Sequence, residues 1–319
     1  MATDLDVLLI GTVMVELTPR PAGCPLRQVR ELVPLPAGAA ANFAIALARL
    51  GVRVGFLSRV GQDDWGQWLI GRLAAEGVDT SLVQPVPGQL SPVSFCWMDQ
   101  QGAKTFYFYR FRGACDPMAE LSVADLEAAR VARARLFDFT EATIRAEPLR
   151  SAVLHGAALA RAAGRAVCYA VNYRPASWEE PPETVVAVQR QACAAADVVV
   201  LNAEEAALLT GAPDASRAAR AIAAWGPSTV AVTAGDQGAL LLVGDEEVPV
   251  PPRRVEVRYD IGAGDTFHAG LVAALLAGLP PTQMGRFAAD AAALKISRDP
   301  ETEHLPTRDE VLRLMEVPL

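Results

Sequence analysis

Tyr259-Asp260-Ile261-Gly262-Ala263-Gly264-Asp265-Thr266-Phe267-His268-Ala269-Gly270-Leu271-Val272-Ala273-Ala274-Leu275-Leu276 is the stretch on which the reading of this chain turns. In Gly262-Ala263-Gly264 no bulky side chain shields the backbone N–H groups. The small and apolar run that follows predicts a helix starting near Asp265, whose first N–H groups lack intrahelical partners and carry the positive end of the helix dipole. Such a junction binds anions, phosphate in particular. A carboxylate there is out of place unless it takes a proton from a hydroxyl while the N–H groups hold the group that the hydroxyl attacks. The competing reading is a Gly-rich turn with Asp265 as an ordinary N-terminal residue, and the surrounding chain decides between them.

Composition narrows the field. Of 319 residues 51% are apolar, enough for a large core, and 29 basic against 37 acidic residues leave a net charge of −8. No Lys/Arg block follows a phosphate backbone, so nucleic acid is not an expected partner. The longest apolar runs, such as Ala269 to Leu279, are too short to span a bilayer, so no membrane association is expected. The N-terminus passes from Met1-Ala2-Thr3-Asp4 into a strand with no leader signature. Cys24, Cys96, Cys115, Cys168 and Cys193 are odd in number and in no metal-binding spacing, which fits reduced thiols in a cytoplasmic protein.

Outward from the Gly-rich stretch, strand and helix patterns alternate. Leu5 to Ile10 is an apolar strand ending at Gly11, and no Gly-x-Gly-x-x-Gly opens a helix after it, which counts against a dinucleotide fold. Thr12 to Leu17 stays β-like and is expected to break at Pro19 and Pro21. Phe43, Leu47 and Leu50 share one helix face, with Gly51 at the cap position. Strands are expected at 52–60, 135–139, 166–172, 198–201 and 229–233, and helices at 65–76, 148–164, 181–196, 203–210, 280–296 and 307–315. This rhythm predicts an α/β fold with a mostly parallel sheet. Val93–Met98 and Lys104–Arg112 interrupt it as a hairpin around residues 99–102, able to pair with the early β segment as a small separate sheet. Both faces of 104–112 are expected to be covered. Leu240–Val243 and Glu247–Val250 read as a second hairpin.

Several polar motifs fall at predicted strand ends, where open α/β sheets bind ligands. They are Asn172-Tyr173-Arg174, Asn202-Ala203-Glu204-Glu205 and Thr233-Ala234-Gly235-Asp236-Gln237-Gly238. Together with Ala37-Gly38-Ala39-Ala40-Ala41-Asn42, Val60-Gly61-Gln62-Asp63-Asp64-Trp65-Gly66 and Gly262-Ala263-Gly264-Asp265, they resemble, in order and over nearly the whole chain, the ribokinase-like (PfkB) carbohydrate kinases.

The resemblance implies one ribokinase-like domain over 1–319: a doubly wound sheet with helices on both faces, and a small β-sheet lid from segments 12–36 and 90–113. It implies phosphoryl transfer from ATP to a sugar hydroxyl. Asp265 would be the base, with the N–H groups of Gly262, Ala263 and Gly264 stabilising the transferring group. Glu16, Gly38, Asn42, Phe108, Arg110, Asn172 and Arg174 would contact the sugar. Asn202, Thr233, Gly235 and Gly238 would serve ATP. Asn202, and Glu205 through water, would position Mg2+, and a monovalent cation is a further possible cofactor. Pairing through the lids implies a homodimer.

Phe108-Tyr109-Arg110 and Asn172-Tyr173-Arg174 with Trp178 most resemble 2-keto-3-deoxygluconate kinases and fructokinases; two arginines suit an acidic or highly oxygenated sugar. Ribose, 5-dehydro-2-deoxygluconate or a nucleoside are alternative acceptors, and a catalytically weak binding homologue is the reading of another class. The chain departs from the pattern at Ala37, Phe108, Ala170 and Tyr259-Asp260-Ile261, and Glu16 stands where the sugar-binding Asp is usual. Ala37 is expected to restrict approach of the backbone to the sugar.

Overall fold

The computed structural model describes residues 4–20, 26–98, 104–109, 116–299 and 305–317. The strands are β1 (Leu5–Ile10), β2 (Met14–Arg20), β3 (Glu31–Ala37), β4 (Val54–Gly61), β5 (Val83–Val86), β6 (Val93–Met98), β7 (Lys104–Tyr109), β8 (Ala134–Thr140), β9 (Ala166–Ala170), β10 (Val198–Asn202), β11 (Thr229–Thr233), β12 (Ala239–Val243) and β13 (Glu246–Val250). The helices are α1 (Ala39–Arg49), α2 (Asp64–Ala75), α3 (Ala128–Val131), α4 (Leu149–Ala162), α5 (Pro182–Ala195), α6 (Ala203–Thr210), α7 (Ala215–Ala223), α8 (Ala263–Leu276), α9 (Pro281–Ile296) and α10 (Arg308–Met315).

Nine strands form one sheet in the order β13-β12-β11-β10-β9-β8-β1-β4-β5. Its pairings are parallel except those made by β12. Alternation along β1 explains why both faces carry helices. Val7 and Leu9 join the core beneath Phe43 and Leu47 of α1, Leu271 of α8 and Phe287 of α9. Leu8 and Ile10 join the opposite core with Val153 of α4, Ala192 of α5, Leu209 of α6 and Ile222 of α7. All four β1 side chains are fully buried. A strand buried on both sides is apolar where it is buried, and the one charge in β1, Asp6 near its start, is only partly buried and paired with Arg53.

The second sheet, β3-β2-β6-β7, joins a parallel β2–β6 pair to two antiparallel ones. Here the expected break at Pro19 does not occur: β2 runs on to Arg20 and pairs with β3, a strand the sequence reading missed. Geometry accounts for both. The Val15 N–H donates to Pro92 O (3.0 Å), so by alternation the nitrogen of Pro19 faces the same side. There β6 pairs only as far as Leu17, and no ladder bond is lost. Pro36 and Pro34 of β3 lie opposite Val15 and Leu17, so by the same parity their nitrogens face the open edge, where proline is tolerated. The expectation that β7 is covered on both faces is not met within one chain, since Tyr107 and Phe108, on opposite faces, are each 49% exposed. The hairpin turn at 99–102 lies outside the described residues.

Asp63 is the residue before α2. It caps α2 by accepting from Gly66 N (2.7 Å) and holds Ser91 through its N–H and hydroxyl (2.7 Å each).

Candidate active site

A cavity of about 800 Å³ opens between the small sheet and the C-terminal ends of β1, β8 and β9. Its wall on the small-sheet side includes Met14, Glu16, Leu35, Ser94 and Phe108, and its floor includes Thr140, Asn172, Gly262 and Asp265. Gly38, Asn42 and Arg174 also line it, so eight sequence-predicted residues meet in one place. Arg110 lies outside the described residues.

Asp265 sits in the first turn of α8. Gly262 precedes the helix at φ 82, a left-handed conformation that glycine adopts without penalty, and a side chain here would also press on the Asn42 amide. That turn corrects one expectation. The Ala263 N–H folds back onto Asp260 O (3.1 Å) and is spent inside the loop. The N–H groups of Gly264 and Asp265 have no backbone acceptor among the described residues and remain to receive an anion.

Both carboxylate oxygens of Asp265 are addressed by asparagine amides. Asn42 Nδ2, from α1, donates to Oδ2 at 2.9 Å, and Asn172 Nδ2, beyond β9, approaches Oδ1 at 3.4 Å. Burial raises the Asp265 carboxyl above its usual range; the Asn42 hydrogen bond and the charges of Arg174, His268 and Lys295 pull it back only in part. A base with a raised pKa is a better proton acceptor near neutrality.

Asn172 has φ 36 and is the one non-glycine residue with positive φ among those described. Asparagine tolerates this region better than most residues, and such outliers cluster at functional sites. Its neighbours hold it there. Val171 N–H donates to Val200 O (2.9 Å) and Tyr173 N–H to Glu205 Oε1 (2.7 Å). Glu205 also accepts from Asn202 N (2.9 Å) while Asn202 Oδ1 accepts from Glu205 N (2.8 Å), a capping box at the start of α6. Burial raises the Glu205 carboxyl.

The residues expected to serve ATP form a second group along the same sheet edge. Asn202 and Thr233 are register partners at the ends of β10 and β11. Gly235 and Gly238 shape the turn that follows, closed by Ala234 N–H to Gly238 O (2.8 Å). Gly38 takes the turn before α1 at φ 103, packed on Thr12 O. The conformation that demands glycine therefore falls at 38, while Ala37, a buried residue ending β3, also lines the cavity.

Sequence reasoning missed several cavity residues. Glu141, fully buried after β8, accepts from Arg145 Nε (2.9 Å) and from the Trp178 indole N–H. Arg145 and Glu141 both line the cavity. Lys295, 6% exposed at the end of α9, donates to Tyr259 O (2.8 Å). Tyr259 Oη in turn donates to Glu16 (3.3 Å), whose carboxyl burial raises. A polar residue at a strand's C-terminal end was the available signal for Glu141; nothing local marks Lys295. His268 is packed in the core: it pairs with buried Asp138 (2.9 Å), lies 3.1 Å from Cys168 Sγ and stacks on Phe43 at 4.0 Å.

Comparison with known proteins bears on what this arrangement does. Residues 4–308 match the model of the pfkB family carbohydrate kinases. Fructokinase-1 of Oryza sativa subsp. japonica is 31% identical over 97% of each chain. The 5-dehydro-2-deoxygluconokinase of Shouchella clausii is 28% identical over 98% of this chain and 96% of its own. Among solved structures, a fructokinase of Xylella fastidiosa with bound ATP superposes with TM-score 0.84 at 25% identity, covering 97% of this chain and 98% of its own. A double-mutant fructokinase of Vibrio cholerae O395 with fructose, ADP and potassium ion bound gives TM-score 0.84 at 25% identity over 99% of both chains.

Proposed function

Because this chain belongs to the pfkB family of carbohydrate kinases, we propose that Asp265 removes the proton of a sugar hydroxyl as that hydroxyl attacks the γ-phosphoryl of ATP. The observation that carries the reading is the Asp265 carboxylate at the mouth of α8, in the floor of the cavity and oriented by Asn42 and Asn172. The Gly264 and Asp265 N–H groups face the charge that develops on the transferring group.

Asn202 and Glu205 suit divided roles toward Mg-ATP. Asn202 Oδ1 is engaged by the Glu205 N–H, so its Nδ2 is the end left for phosphate oxygens. Glu205 is buried and each of its oxygens already accepts a backbone N–H, which suits contact with Mg2+ through water. Mg2+ would supply charge neutralisation at the phosphates. Thr233, Gly235 and Gly238 would form the nucleotide wall.

For the acceptor we favour a neutral ketose of the fructose type over a sugar acid. The Arg145 charge is offset by Glu141, and Glu16, Asp116 and Glu179 add carboxylates to the same walls. Three fructokinases similar to this chain support this class, whereas the relative named for 5-dehydro-2-deoxygluconate, a sugar acid, supports the competing one. The chain is read as one domain in which the small sheet covers the sugar. Its exposed Leu32, Tyr107 and Phe108 support pairing of two copies through that sheet. The buried cysteines Cys96, Cys168 and Cys193 fit a cytoplasmic setting, and no helix among the described residues is long and apolar enough to cross a membrane.

A coupled ADP-release assay with Mg-ATP tests the reading on fructose, 2-keto-3-deoxygluconate, 5-dehydro-2-deoxygluconate, ribose and adenosine. Turnover on fructose is expected. Turnover on a sugar acid alone would replace the neutral acceptor, and ATP binding without turnover on any of them would favour a binding homologue.

A further inference from the structure

The loop that delivers the backbone to Gly262 is clamped from one side by the end of α9. Arg258 N–H and Tyr259 N–H both donate to Ile296 O (2.8 and 3.1 Å), and the Lys295 ammonium donates to Tyr259 O at 2.8 Å. The same ammonium lies 4.5 Å from the centroid of the Tyr259 ring, a cation–π distance. Its Cε comes within 3.7 Å of the space a side chain on Gly262 would fill. A lysine 6% exposed, with its charge on a main-chain carbonyl three residues before the anion-binding turn, is costly to bury unless that charge is used. Charge also suits the place, because the final carbonyls of α9 are the negative end of its dipole.

A diffusible monovalent cation binds by exchanging its water for several carbonyl oxygens. At this loop it would compete with Lys295 for Tyr259 O and meet a like charge beside it. A potassium ion therefore does not fit beside Tyr259 in this chain.

We infer that Lys295 is a positioning residue acting as a tethered monovalent cation, holding the 259–262 loop in the form that presents the Gly264 and Asp265 N–H groups, so that turnover needs no free K+. The inference rests on the kinase reading for its catalytic consequence, whereas its structural core, an ammonium filling a cation position, does not. Lys295 also lowers the pKa of Asp265 and of Glu16 through its charge, which keeps both carboxylates nearer to ionised at neutral pH.

The test replaces KCl by NaCl, LiCl or tetramethylammonium chloride at constant ionic strength, for the wild type and Lys295→Met. Wild-type kcat should stay within about twofold across the series, and its Tm should not respond to K+ in particular. Lys295→Met should lose about 100-fold in kcat, comparable to loss of a donor at an oxyanion site, with KM for the sugar little changed. K+ or NH4+ should then restore part of the rate and raise the variant's Tm, because the vacated position accepts a free cation. Wild-type turnover or Tm that rises specifically with K+ overturns the inference. So does a Lys295→Met loss that no cation relieves, which would leave Lys295 a purely structural residue. If the variant does not fold, the wild-type cation series decides. If no sugar is turned over, the Tm series decides without the kinase reading.

Discussion

Asn42 Nδ2 stands 2.9 Å from Asp265 Oδ2. The family resemblance implies that Asn42 binds sugar hydroxyls, and in this structure one N–H of its amide goes to the carboxylate expected to act as base. The two roles are compatible in sequence. The amide orients the carboxylate until an acceptor hydroxyl arrives, and the hydroxyl then takes a place in the same hydrogen-bond group. The contact joins α1 to α8, two helices packed in one core, so the base is set by the packing of the fold and not by its loop alone.

The Asp265 carboxyl is raised above 3.8, chiefly by burial. Its contribution to stability is therefore fully present below the unfolded value and is lost as pH rises through the raised folded value. Asp265→Asn abolishes that loss. The Tm of the variant minus that of the wild type should grow as pH is raised from about 4 and level off above the folded pKa. A difference that shrinks with rising pH contradicts burial as the dominant influence. The acid limb of kcat should likewise lie above 3.8.

Asn172, at φ 36, separates backbone strain from side-chain function. Asn172→Ala should be less stable than Asn172→Gly by about 1 kcal/mol, since alanine bears the left-handed penalty. Both should lose turnover, because both lack the amide facing Asp265 Oδ1. Urea denaturation and steady-state kinetics on the pair check this. Wild-type rates in the glycine variant would remove the amide from the mechanism.

Glu205 accepts the N–H groups of Asn202 and Tyr173. Glu205→Ala should cost about 2–4 kcal/mol, the sum of a lost helix cap and a buried N–H left without an acceptor. Glu205→Gln can still accept one of the two bonds and should lose about half as much. If Glu205 also orients water on Mg2+, the glutamine variant needs more Mg2+ for half-maximal rate. An unchanged Mg2+ requirement confines Glu205 to positioning Asn172.

Arg174 faces the cavity with Nη1 donating to the carbonyl of Tyr173 (3.0 Å). Arg174→Ala should reduce kcat/KM for a sugar acid by about 10-fold or more and for fructose by about 3-fold or less, since guanidinium binds carboxylate more strongly than hydroxyl. Equal losses on both acceptors would assign Arg174 to loop structure.

Much of this was legible in the sequence where local pattern alone decides. The bounds of β1, β6, α6 and β11 follow from mainly apolar, β-rich runs and the Asn202 cap. The strand β3 was not legible because Pro34 and Pro36 argue against a strand unless the open edge is known. Helix α7 was missed although its Asp214 cap and its sided pattern, Ala218, Ala219 and Ile222 against Arg217 and Arg220, were there to be read. In the site, Asp265, Asn42 and Asn172 carry motif spacing. Glu141 and Arg145 gain meaning only from each other and from Trp178. Lys295 reads as a solvated residue at a helix end until Tyr259, 36 positions earlier, is seen beneath it.

The most direct test of the central claim is single-turnover phosphoryl transfer by Asp265→Asn on the sugar that the wild type turns over fastest. Loss of the base predicts a rate lower by about 10²–10⁴-fold with sugar and ATP affinities close to wild type. A variant that transfers the phosphoryl group at near the wild-type rate would remove Asp265 as the base, and with it the reading of the α8 mouth as the reaction centre.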